Sequence, residues 1–332
     1  MNPGNEAKVS SLRELCIGCK ACRKACPSFA NGGCDPFSVM QGLEGKVEMC
    51  IGCGKCTEVC PVTNPKDVMM QMKAEALGLP VPDAFVKCGH VLPYAPEPEG
   101  LPEVPEGDGC YVMPGCIVKG KVPYVEYAAF RALESIGIGS RELPGSTCCT
   151  YPIPLRSYTD ADRDAFKFRM RGKAKGRDTV TLCSGCSDEL ARSGVFFPHI
   201  SDYLAHFTDR IRQLPGVDMR VAIEPGCSAE KSYRSIREVV EATGATVMEN
   251  TRGCCGKKIP GVNEALMRER EEECRGADAI ILCCPNCMLF YDGYPDGIPV
   301  LHISELVCLA AGDSSTQRFH KIGLKAIPGR RK

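Results

Sequence analysis

Residues 16–27 read CIGCKACRKACP, and residues 50–61 read CIGCGKCTEVCP. Each stretch has the spacing C-x2-C-x2-C-x3-C followed by proline, which is typical of paired iron–sulfur cubane sites. The first three thiolates of a stretch can wrap one corner of a cluster, while the fourth points to the neighbouring cluster. The spacing therefore predicts two [4Fe–4S] ligand sets. Cubane set 1 comprises Cys16, Cys19, Cys22 and Cys60, and cubane set 2 comprises Cys26, Cys50, Cys53 and Cys56.

A pair of zinc sites is the alternative interpretation of these cysteines. Zinc sites usually use two separated CxxC pairs and not three cysteines in a row at this spacing, so iron is favoured. The segment resembles the two-cluster bacterial ferredoxins. Because protein would ligate every iron in such clusters, the segment predicts an electron-transfer path and not a reaction site.

Cysteine is unusually frequent in this chain, at 24 of 332 residues. Residues 1–11 are polar and lack the apolar core of a signal peptide, so we expect a cytoplasmic protein with reduced thiols and no disulfide framework. The 41 basic and 41 acidic residues cancel, which argues against a nucleic-acid partner. No stretch approaches the roughly 18 apolar residues that span a bilayer, so no direct membrane insertion is expected.

Changes in composition and apolar patterning along the sequence predict five segments. Residues 92–109 contain five prolines and no apolar periodicity, which is typical of an extended linker. The segments are a two-cluster ferredoxin-like domain at 1–91, a Pro-rich linker at 92–109, a first repeat at 110–217, a second repeat at 218–320 and a basic tail at 321–332.

The two repeats carry the same landmarks in the same order. Each has a strand ending in Pro-Gly-Cys, an amphipathic helix, an adjacent cysteine pair, an apolar strand that enters a CxxC, and His-Ile-Ser before a last helix. The fold class predicted is therefore a multidomain α+β and α/β chain, with a helical ferredoxin domain followed by two repeated α/β units. The landmarks lie at 111–116, 125–136, 148–149, 179–186 and 199–201, and at 221–227, 232–243, 254–255, 279–287 and 302–304.

Each repeat supplies five cysteines. Five thiolates exceed the four that a cubane cluster or a tetrahedral zinc requires, and adjacent cysteines suit two irons better than one. An open metal centre is therefore predicted in each half, and a four-cysteine zinc or cubane site with a spare thiol is the alternative. Repeat set 1 comprises Cys116, Cys148, Cys149, Cys183 and Cys186, and repeat set 2 comprises Cys227, Cys254, Cys255, Cys284 and Cys287.

These motifs resemble the CCG-domain proteins, most closely the catalytic B subunit of heterodisulfide reductase. The first 90 residues resemble its C subunit, so the chain looks like a C–B fusion, similar to the D subunit of methanogen heterodisulfide reductase. The resemblance implies that each repeat set holds a non-cubane [4Fe–4S] cluster. It also implies that the two clusters split the mixed disulfide of coenzyme M and coenzyme B, with electrons relayed from the ferredoxin domain, in the energy metabolism of methanogenesis.

The sequence departs from the family pattern at two positions. Thr150 follows the first cysteine pair, whereas Gly256 follows the second. Cys283 directly precedes Cys284, and we prefer Cys284 as the ligand because its CxxC with Cys287 parallels that of the first repeat. Cys283 is also the one candidate near the site for conventional thiol–disulfide exchange. Six cysteines remain unassigned and are expected to be buried free thiols: Cys34, Cys88, Cys110, Cys274, Cys283 and Cys308.

The implied substrate is anionic, so basic residues near the cysteine loops are candidates to bind it. Solvated surface charge is the alternative for each of them. For His199 and His302, a structural hydrogen bond is favoured over a role as proton donor. The candidate substrate-binding residues are Lys119, Arg156, Arg252, Lys257 and Lys258.

A rival function is electron transfer alone, as the iron–sulfur subunit of a flavin-dependent 2-hydroxyacid or glycerol-3-phosphate dehydrogenase. No G-x-G-x-x-G follows a strand, so no flavin is expected in this chain and a partner must supply electrons. That partner is expected to be a flavoprotein, a membrane cytochrome b subunit or a soluble ferredoxin. Any membrane association would come through the partner.

Overall fold

A computed structural model describes residues 1, 3–78, 89–146, 148–150, 160–257, 259–292, 294 and 297–325. The chain divides into two compact units. The segment Cys254–Glu269, from the predicted second repeat, clusters with the N-terminal unit, and the boundaries expected from sequence stay predictions. The first unit comprises Met1–Asp83, Pro152–Arg163 and Cys254–Glu269, and the second comprises Ala84–Tyr151, Asp164–Gly253 and Arg270–Lys332.

Short helices build the N-terminal part of the first unit. Four of them begin with proline, whose missing N–H is not needed at a helix start. The residue before two of these prolines caps the helix: Asp35 accepts from the N–H of Phe37 at 3.0 Å, and Asn64 accepts from the N–H of Asp67 at 3.3 Å. The helices are α1 (Pro3–Glu14), α2 (Ala21–Lys24), α3 (Pro27–Ala30), α4 (Pro36–Met40), α5 (Lys55–Glu58) and α6 (Pro65–Ala76).

The core of this part mixes aliphatic side chains with sulfur. Helices α1, α4 and α6 contribute its aliphatic residues and its methionines. Two thiols lie in the same core, which places part of the predicted metal-binding region in an apolar surrounding. The buried members are Val9, Cys26, Cys34, Val39, Met40, Val68 and Met69.

Two parallel sheets form the centre of the second unit. In both sheets the first strand in chain order lies between the second and the third. One sheet has the order β2-β1-β3, and the other has the order β5-β4-β6-β7. The strands are β1 (Glu106–Met113), β2 (Ser140–Glu142), β3 (Thr179–Thr181), β4 (Arg220–Glu224), β5 (Thr246–Val247), β6 (Ala279–Leu282) and β7 (Val300–His302).

The sheet topology places the cysteine motifs. Because the strands are parallel, their carboxyl ends meet at one edge of each sheet, where ligand sites of α/β folds form. The Pro-Gly-Cys turns follow β1 and β4, and the CxxC turns follow β3 and β6. Each sheet therefore brings two of its cysteine loops to one edge.

The remaining helices belong to the second unit, except that Val262–Glu273 lies largely in the segment Cys254–Glu269 of the first unit and Asp160–Ala174 begins in the segment Pro152–Arg163. The helices expected over 125–136 and 232–243 are present within one or two residues of those bounds. None of the helices in the described ranges is long and apolar enough to cross a bilayer. They are α7 (Cys116–Lys121), α8 (Tyr124–Ser135), α9 (Asp160–Ala174), α10 (Ser184–Ala191), α11 (Ile200–Leu204), α12 (Thr208–Ile211), α13 (Tyr233–Ala242), α14 (Val262–Glu273), α15 (Pro285–Tyr291) and α16 (Ile303–Ala310).

Strand β1 begins at Glu106, inside the stretch 92–109 that the sequence predicts to be a linker, and glycines allow its pairing there. A Cβ at Gly107 would lie 2.5 Å from the Cα of Gly139, so only glycine allows this approach of the two backbones. The register between β1 and β2 shifts between Glu106 and Cys110, which is typical of a β-bulge.

Candidate iron–sulfur centres

Cubane set 1 is brought together in the first unit. Burial, together with the nearby Cys16, Cys19 and Cys60, raises the pKa of the Cys22 thiol to about 11. The same four cysteines line one cavity. The loop that carries them turns through Gly18 at φ 72°, a conformation that favours glycine. Cys60 of the second motif thus joins three cysteines of the first, as the spacing predicts, and Cys19 is exposed.

Cubane set 2 is more deeply buried than cubane set 1. Burial and the neighbouring Cys50, Cys53 and Cys26 raise the pKa of Cys56. Backbone donors point at two of the sulfurs. Cys26 Sγ accepts from the N–H of Phe29 at 3.4 Å, and Cys50 Sγ accepts from the N–H of Gly52 at 3.4 Å. Such N–H···S contacts stabilise thiolates that bind metal.

Cys34 is a further thiol beside cubane set 2, and sequence analysis left it unassigned. Its Sγ lies 3.9 Å from Cys26 Sγ, and its N–H donates to the hydroxyl of Ser28 at 3.1 Å. Hydrogen bonding from the Cys34 thiol is the main cause that lowers the pKa of Cys50 to about 6. No spacing pattern includes Cys34, because its position depends on how residues 31–35 fold back onto Ser28.

Repeat set 1 lies entirely in the second unit, and its five cysteines form a continuous series of contacts. Cys148 Sγ lies 3.9 Å from Cys116 Sγ. Hydrogen bonding with Cys149 and Cys183, together with burial, raises the pKa of Cys186 well above the usual value. The structure therefore brings together the five cysteines that the first repeat supplies, and their role as cluster ligands stays a prediction.

The glycine of each Pro-Gly-Cys turn lets the backbone pass close to the sulfur of a CxxC cysteine. Gly115 and Gly226 both have φ 80°. A Cβ on Gly115 would lie 3.0 Å from Cys186 Sγ, and a Cβ on Gly226 would lie 3.4 Å from Cys287 Sγ. The corresponding glycines thus make the same close approach in the two halves.

Replacing Gly115 by alanine is expected to reduce the iron bound by repeat set 1. Alanine at φ 80° and ψ 165° is strained by about 1–3 kcal/mol, and its methyl group would press on Cys186 Sγ. Iron content per chain and the melting temperature are the measurements. Gly172→Ala in helix α9 is the matched control, because nothing lies within 4 Å of the added methyl group there. Equal iron content in the two variants would contradict this prediction.

Repeat set 2 is divided between the two units. Cys227, Cys284 and Cys287 belong to the second unit, whereas Cys254 and Cys255 belong to the segment Cys254–Glu269 of the first. Hydrogen bonds from Cys183 and Cys287, and from the first backbone N–H groups of helix α15, lower the pKa of Cys284 well below the usual value. The assembly of the five cysteines of repeat set 2 into one centre stays a prediction.

Cys283 and Cys284 have opposite environments. Cys283 is fully buried, and burial raises the pKa of its thiol well above the usual value. Its side chain lies near Ser201, whereas that of Cys284 lies within reach of Cys183 and Cys287. The contrast supports Cys284 as the ligand and argues against thiol–disulfide exchange at Cys283.

The two CxxC turns meet within the second unit. The thiol of Cys183 is within hydrogen-bonding reach of Cys284. The N–H of Ser184 donates to the carbonyl of Cys283 at 3.1 Å, and Nε2 of His302 lies 3.2 Å from the carbonyl oxygen of Leu182. Hydrogen bonds between the two sheets thus hold the end of β3 beside the ends of β6 and β7.

His199 and His302 each make a hydrogen bond that caps a helix. In each, Nδ1 accepts from the backbone N–H two residues later, at 3.2 Å from Ser201 and at 3.3 Å from Ser304. Burial lowers the pKa of His199 to about 3 and that of His302 to about 4, so both are neutral at pH 7. Both are committed to capping helices, as the sequence favoured.

Lys119 is held by two carboxylates. Its Nζ lies 2.7 Å from Glu126 and 2.7 Å from Glu142. Anion binding by Lys119 would have to replace one of these ion pairs. The assignment of Lys119 to substrate binding stays a prediction.

The other candidate basic residues are placed differently from one another. Arg252 pairs with Glu230 at 3.0 Å and stacks 3.8 Å from the ring centroid of Tyr233. Lys257 lies in the first unit, where its charge contributes to lowering the pKa of Cys50. Arg156 and Lys258 lie outside the described residues, as does Cys88.

The donor chemistry of these sets fits iron–sulfur groups. Among the described residues, no group of three or more His, Cys, Asp or Glu side chains is arranged to hold a metal ion. What the structure does provide is sets of neighbouring thiols, most of them buried or half-buried, with backbone N–H groups directed at several of the sulfurs. Of the unassigned cysteines, five are buried and free, as expected: Cys34, Cys110, Cys274, Cys283 and Cys308.

Two domain families match this chain. Residues 8–61 match the 4Fe–4S dicluster domain, which covers both cubane sets. Residues 221–291 match the cysteine-rich CCG domain, which covers repeat set 2. Both matches indicate iron–sulfur clusters.

Three curated relatives are similar to this chain. The B subunit of the ferredoxin/F420H2-dependent CoB–CoM heterodisulfide reductase of Methanosarcina acetivorans is 26% identical over 264 residues, covering 60% of this chain and 88% of the relative. The B subunit of the ferredoxin:CoB–CoM heterodisulfide reductase of Methanosarcina mazei is 28% identical over 268 residues, covering 61% and 89%. The B subunit of the fumarate reductase (CoM/CoB) of Methanothermobacter marburgensis is 30% identical over 226 residues, covering 60% and 46%.

All three relatives are named as single subunits of larger oxidoreductases. Together, the relatives and the domain matches show that this chain is an iron–sulfur oxidoreductase homologous to the B subunit of heterodisulfide reductase, with dicluster and cysteine-rich domains as in a fusion of C-type and B-type subunits.

Proposed function

We propose that this chain reduces the mixed disulfide of coenzyme M and coenzyme B to two thiols. The observation that carries the proposal is the contact of Cys183 with Cys284, which joins the CxxC turns of two sheets in one unit. A disulfide has two sulfur atoms, and two thiol-rich loops side by side offer a place for each. The names of the two heterodisulfide reductase relatives support the same substrate.

The cysteines would hold four iron–sulfur groups under this proposal. Cubane sets 1 and 2 would each hold a cubane [4Fe–4S] cluster, and repeat sets 1 and 2 would each hold a non-cubane [4Fe–4S] cluster, with zinc as the alternative in one of them. When bound, such groups supply single electrons, two of which are needed to reduce a disulfide. The two repeats would therefore act together on one disulfide.

The chain's own residues position the reaction and limit where protons come from. The N–H of Ser184 and the ring of His302 hold the end of β3 against the ends of β6 and β7. The Nε2–H of the neutral His302 is directed at the carbonyl of Leu182, so it is not the donor that converts a product thiolate to a thiol. The two protons of the reaction would therefore come from another donor, such as water or one of the candidate substrate-binding lysines.

A partner protein would supply the electrons in the cytoplasm. The exposed Cys19 in cubane set 1 supports electron entry at that set, since electron transfer between proteins requires a cluster near the surface. A flavoprotein, a membrane cytochrome b subunit and a soluble ferredoxin are the candidates. Attachment to a membrane would come through that partner.

An anaerobic assay tests the proposal. The full chain with its iron–sulfur groups is supplied with a reduced viologen dye, and thiol release from the coenzyme M–coenzyme B disulfide is measured. We expect two thiols per disulfide. The proposal fails if a preparation with full iron content and the EPR signals of both repeat-set centres releases none.

Electron transfer alone is the second candidate function. Thr150 favours it, because a chain that only conducts electrons tolerates a departure from the CCG pattern in one half more easily than a reaction site does. The partner would then be a flavin-dependent dehydrogenase. Oxidation of the viologen-reduced chain by such a partner, without any thiol release, would distinguish this function.

A further inference from the structure

Two hydroxyl groups at repeat set 1 are buried and have no hydrogen-bond partner. Thr150 is 0% exposed and Ser184 is 2% exposed. Neither Thr150 Oγ1 nor Ser184 Oγ has a partner among the described residues. Each residue directly follows a cysteine of repeat set 1, Cys149 in one case and Cys183 in the other.

These hydroxyl groups are costly to the folded chain. A buried polar group left without a partner costs about 1–3 kcal/mol. Thr150 has a second cost, because its φ is 71°, a conformation that β-branched residues strongly disfavour. Costs of this kind persist at positions where a function requires them, and a buried unpaired group in a native protein often marks a missing ligand.

The backbone does not need either hydroxyl group. The second half has Gly256 where the first has Thr150, and Pro285 where the first has Ser184. Gly256 adopts φ 72°, so the turn after the cysteine pair is the same and glycine makes it without strain. The hydroxyls therefore distinguish repeat set 1 from repeat set 2.

The sulfur atoms at repeat set 1 are the acceptors to consider for these two hydroxyl groups. The N–H of Thr150 already donates to Cys148 Sγ at 3.3 Å, which places the residue against the thiols. Thiolates and sulfides are negatively charged and accept hydrogen bonds. Donors around an iron–sulfur group stabilise its more negative, reduced form and so raise its reduction potential.

We propose that the hydroxyl groups of Thr150 and Ser184 donate hydrogen bonds to the sulfur atoms of the iron–sulfur group held by repeat set 1, which is therefore reduced at a higher potential than the group of repeat set 2. The inference rests on the iron–sulfur part of the proposed function and not on its substrate. The two halves would then differ in role, because an electron that reaches the second unit would first reduce the iron–sulfur group of repeat set 1.

Redox titration of the full chain, followed by EPR, tests this inference. Thr150→Val keeps the shape of the side chain and removes its hydroxyl, and Ser184→Ala removes the other. Each is expected to lower the equilibrium constant for reduction of one centre about tenfold, which is about 59 mV for one electron. The double variant is expected to lower it about a hundredfold.

Three further variants separate the hydroxyl from packing and strain. Thr150→Ser keeps a hydroxyl and is expected to restore the wild-type potential. Thr150→Gly removes the hydroxyl and the strain together, so its potential should fall while its melting temperature rises. Thr243→Val is the matched control, because the buried hydroxyl of Thr243 already donates to the carbonyl of Val240 at 2.6 Å. Its potentials should equal those of the wild type.

Two results would overturn the inference. One is unchanged midpoint potentials in both Thr150→Val and Ser184→Ala at full iron and sulfide content. The other is loss of iron in both variants, with full iron in Thr150→Ser, because the hydroxyls would then serve assembly and not potential. Shifted potentials in a chain that releases no thiols would reject the proposed substrate and still support this inference.

Discussion

Replacing Cys149 by serine is expected to lower thiol release from the coenzyme M–coenzyme B disulfide by roughly 10³-fold or more. Loss of a residue that merely supports a metal ligand costs about 10–100-fold, and loss of a ligand costs more. Cys149 is buried and acts through its contact with Cys186. Serine binds iron poorly at neutral pH, because its hydroxyl keeps its proton. The viologen assay measures the effect, and the EPR signals of the cubane sets should remain.

Cys308→Ser is the matched control for this substitution. Cys308 is also a buried thiol of the second unit, but it belongs to none of the cysteine motifs, and its Sγ donates to the carbonyl of Ala128 at 3.2 Å. We expect its iron content and turnover to stay near those of the wild type. Turnover that survives in Cys149→Ser, and equally in Cys255→Ser, would refute the role of the repeat sets.

Replacing His320 by glutamine is expected to lower the free energy of unfolding by about 3–5 kcal/mol at pH 7, since it leaves a buried carboxylate without its partner. Nε2 of His320 lies 3.0 Å from Glu305, whose side chain is fully buried, and Nδ1 lies 3.6 Å from Asp292. Burial alone would lower the pKa of His320, but the two carboxylates raise it to about 10.

The same pair of carboxylates makes this contribution depend on pH. The unfolded histidine titrates near 6.5, and the folded one titrates at about 10. Because the folded pKa is the higher one, the stabilisation is fully present below about pH 6.5 and is lost as the pH rises to 10. Urea unfolding at pH 6, 8 and 10 measures the difference between wild type and variant.

Arg212→Gln is the control for the histidine. Arg212 forms an exposed pair with Asp209 at 2.8 Å, and exposed pairs contribute at most about 1 kcal/mol. A difference between wild type and His320→Gln that is the same at pH 6 and pH 10 would show that the charged histidine does not stabilise the fold.

Local spacing in the sequence predicted much of the candidate site. It placed Cys60 with Cys16, Cys19 and Cys22, and the structure brings these four together. It also predicted strand–helix–strand segments, and the structure has two parallel sheets. Such predictions succeed because a cysteine motif or a strand followed by a helix is encoded within a few dozen neighbouring residues.

Contacts between distant segments could not be predicted in this way. The nearness of Cys34 to Cys26 depends on a fold-back onto Ser28, and the meeting of Cys183 with Cys284 depends on how two sheets pack. The same limit explains the placement of Lys257 beside cubane set 2. Packing of this kind is set by the whole core, and no short pattern of residues records it.

The hydrogen bonds that join the two sheets have a consequence for cooperativity. The N–H of Ser184 and the carbonyl of Leu182, from one sheet, find their partners in Cys283 and His302 of the other. Opening either sheet alone would leave buried polar groups unpaired in the other, which is costly. The two sheets are therefore thermodynamically coupled, and a change that loosens one cysteine loop also changes the stability of its counterpart.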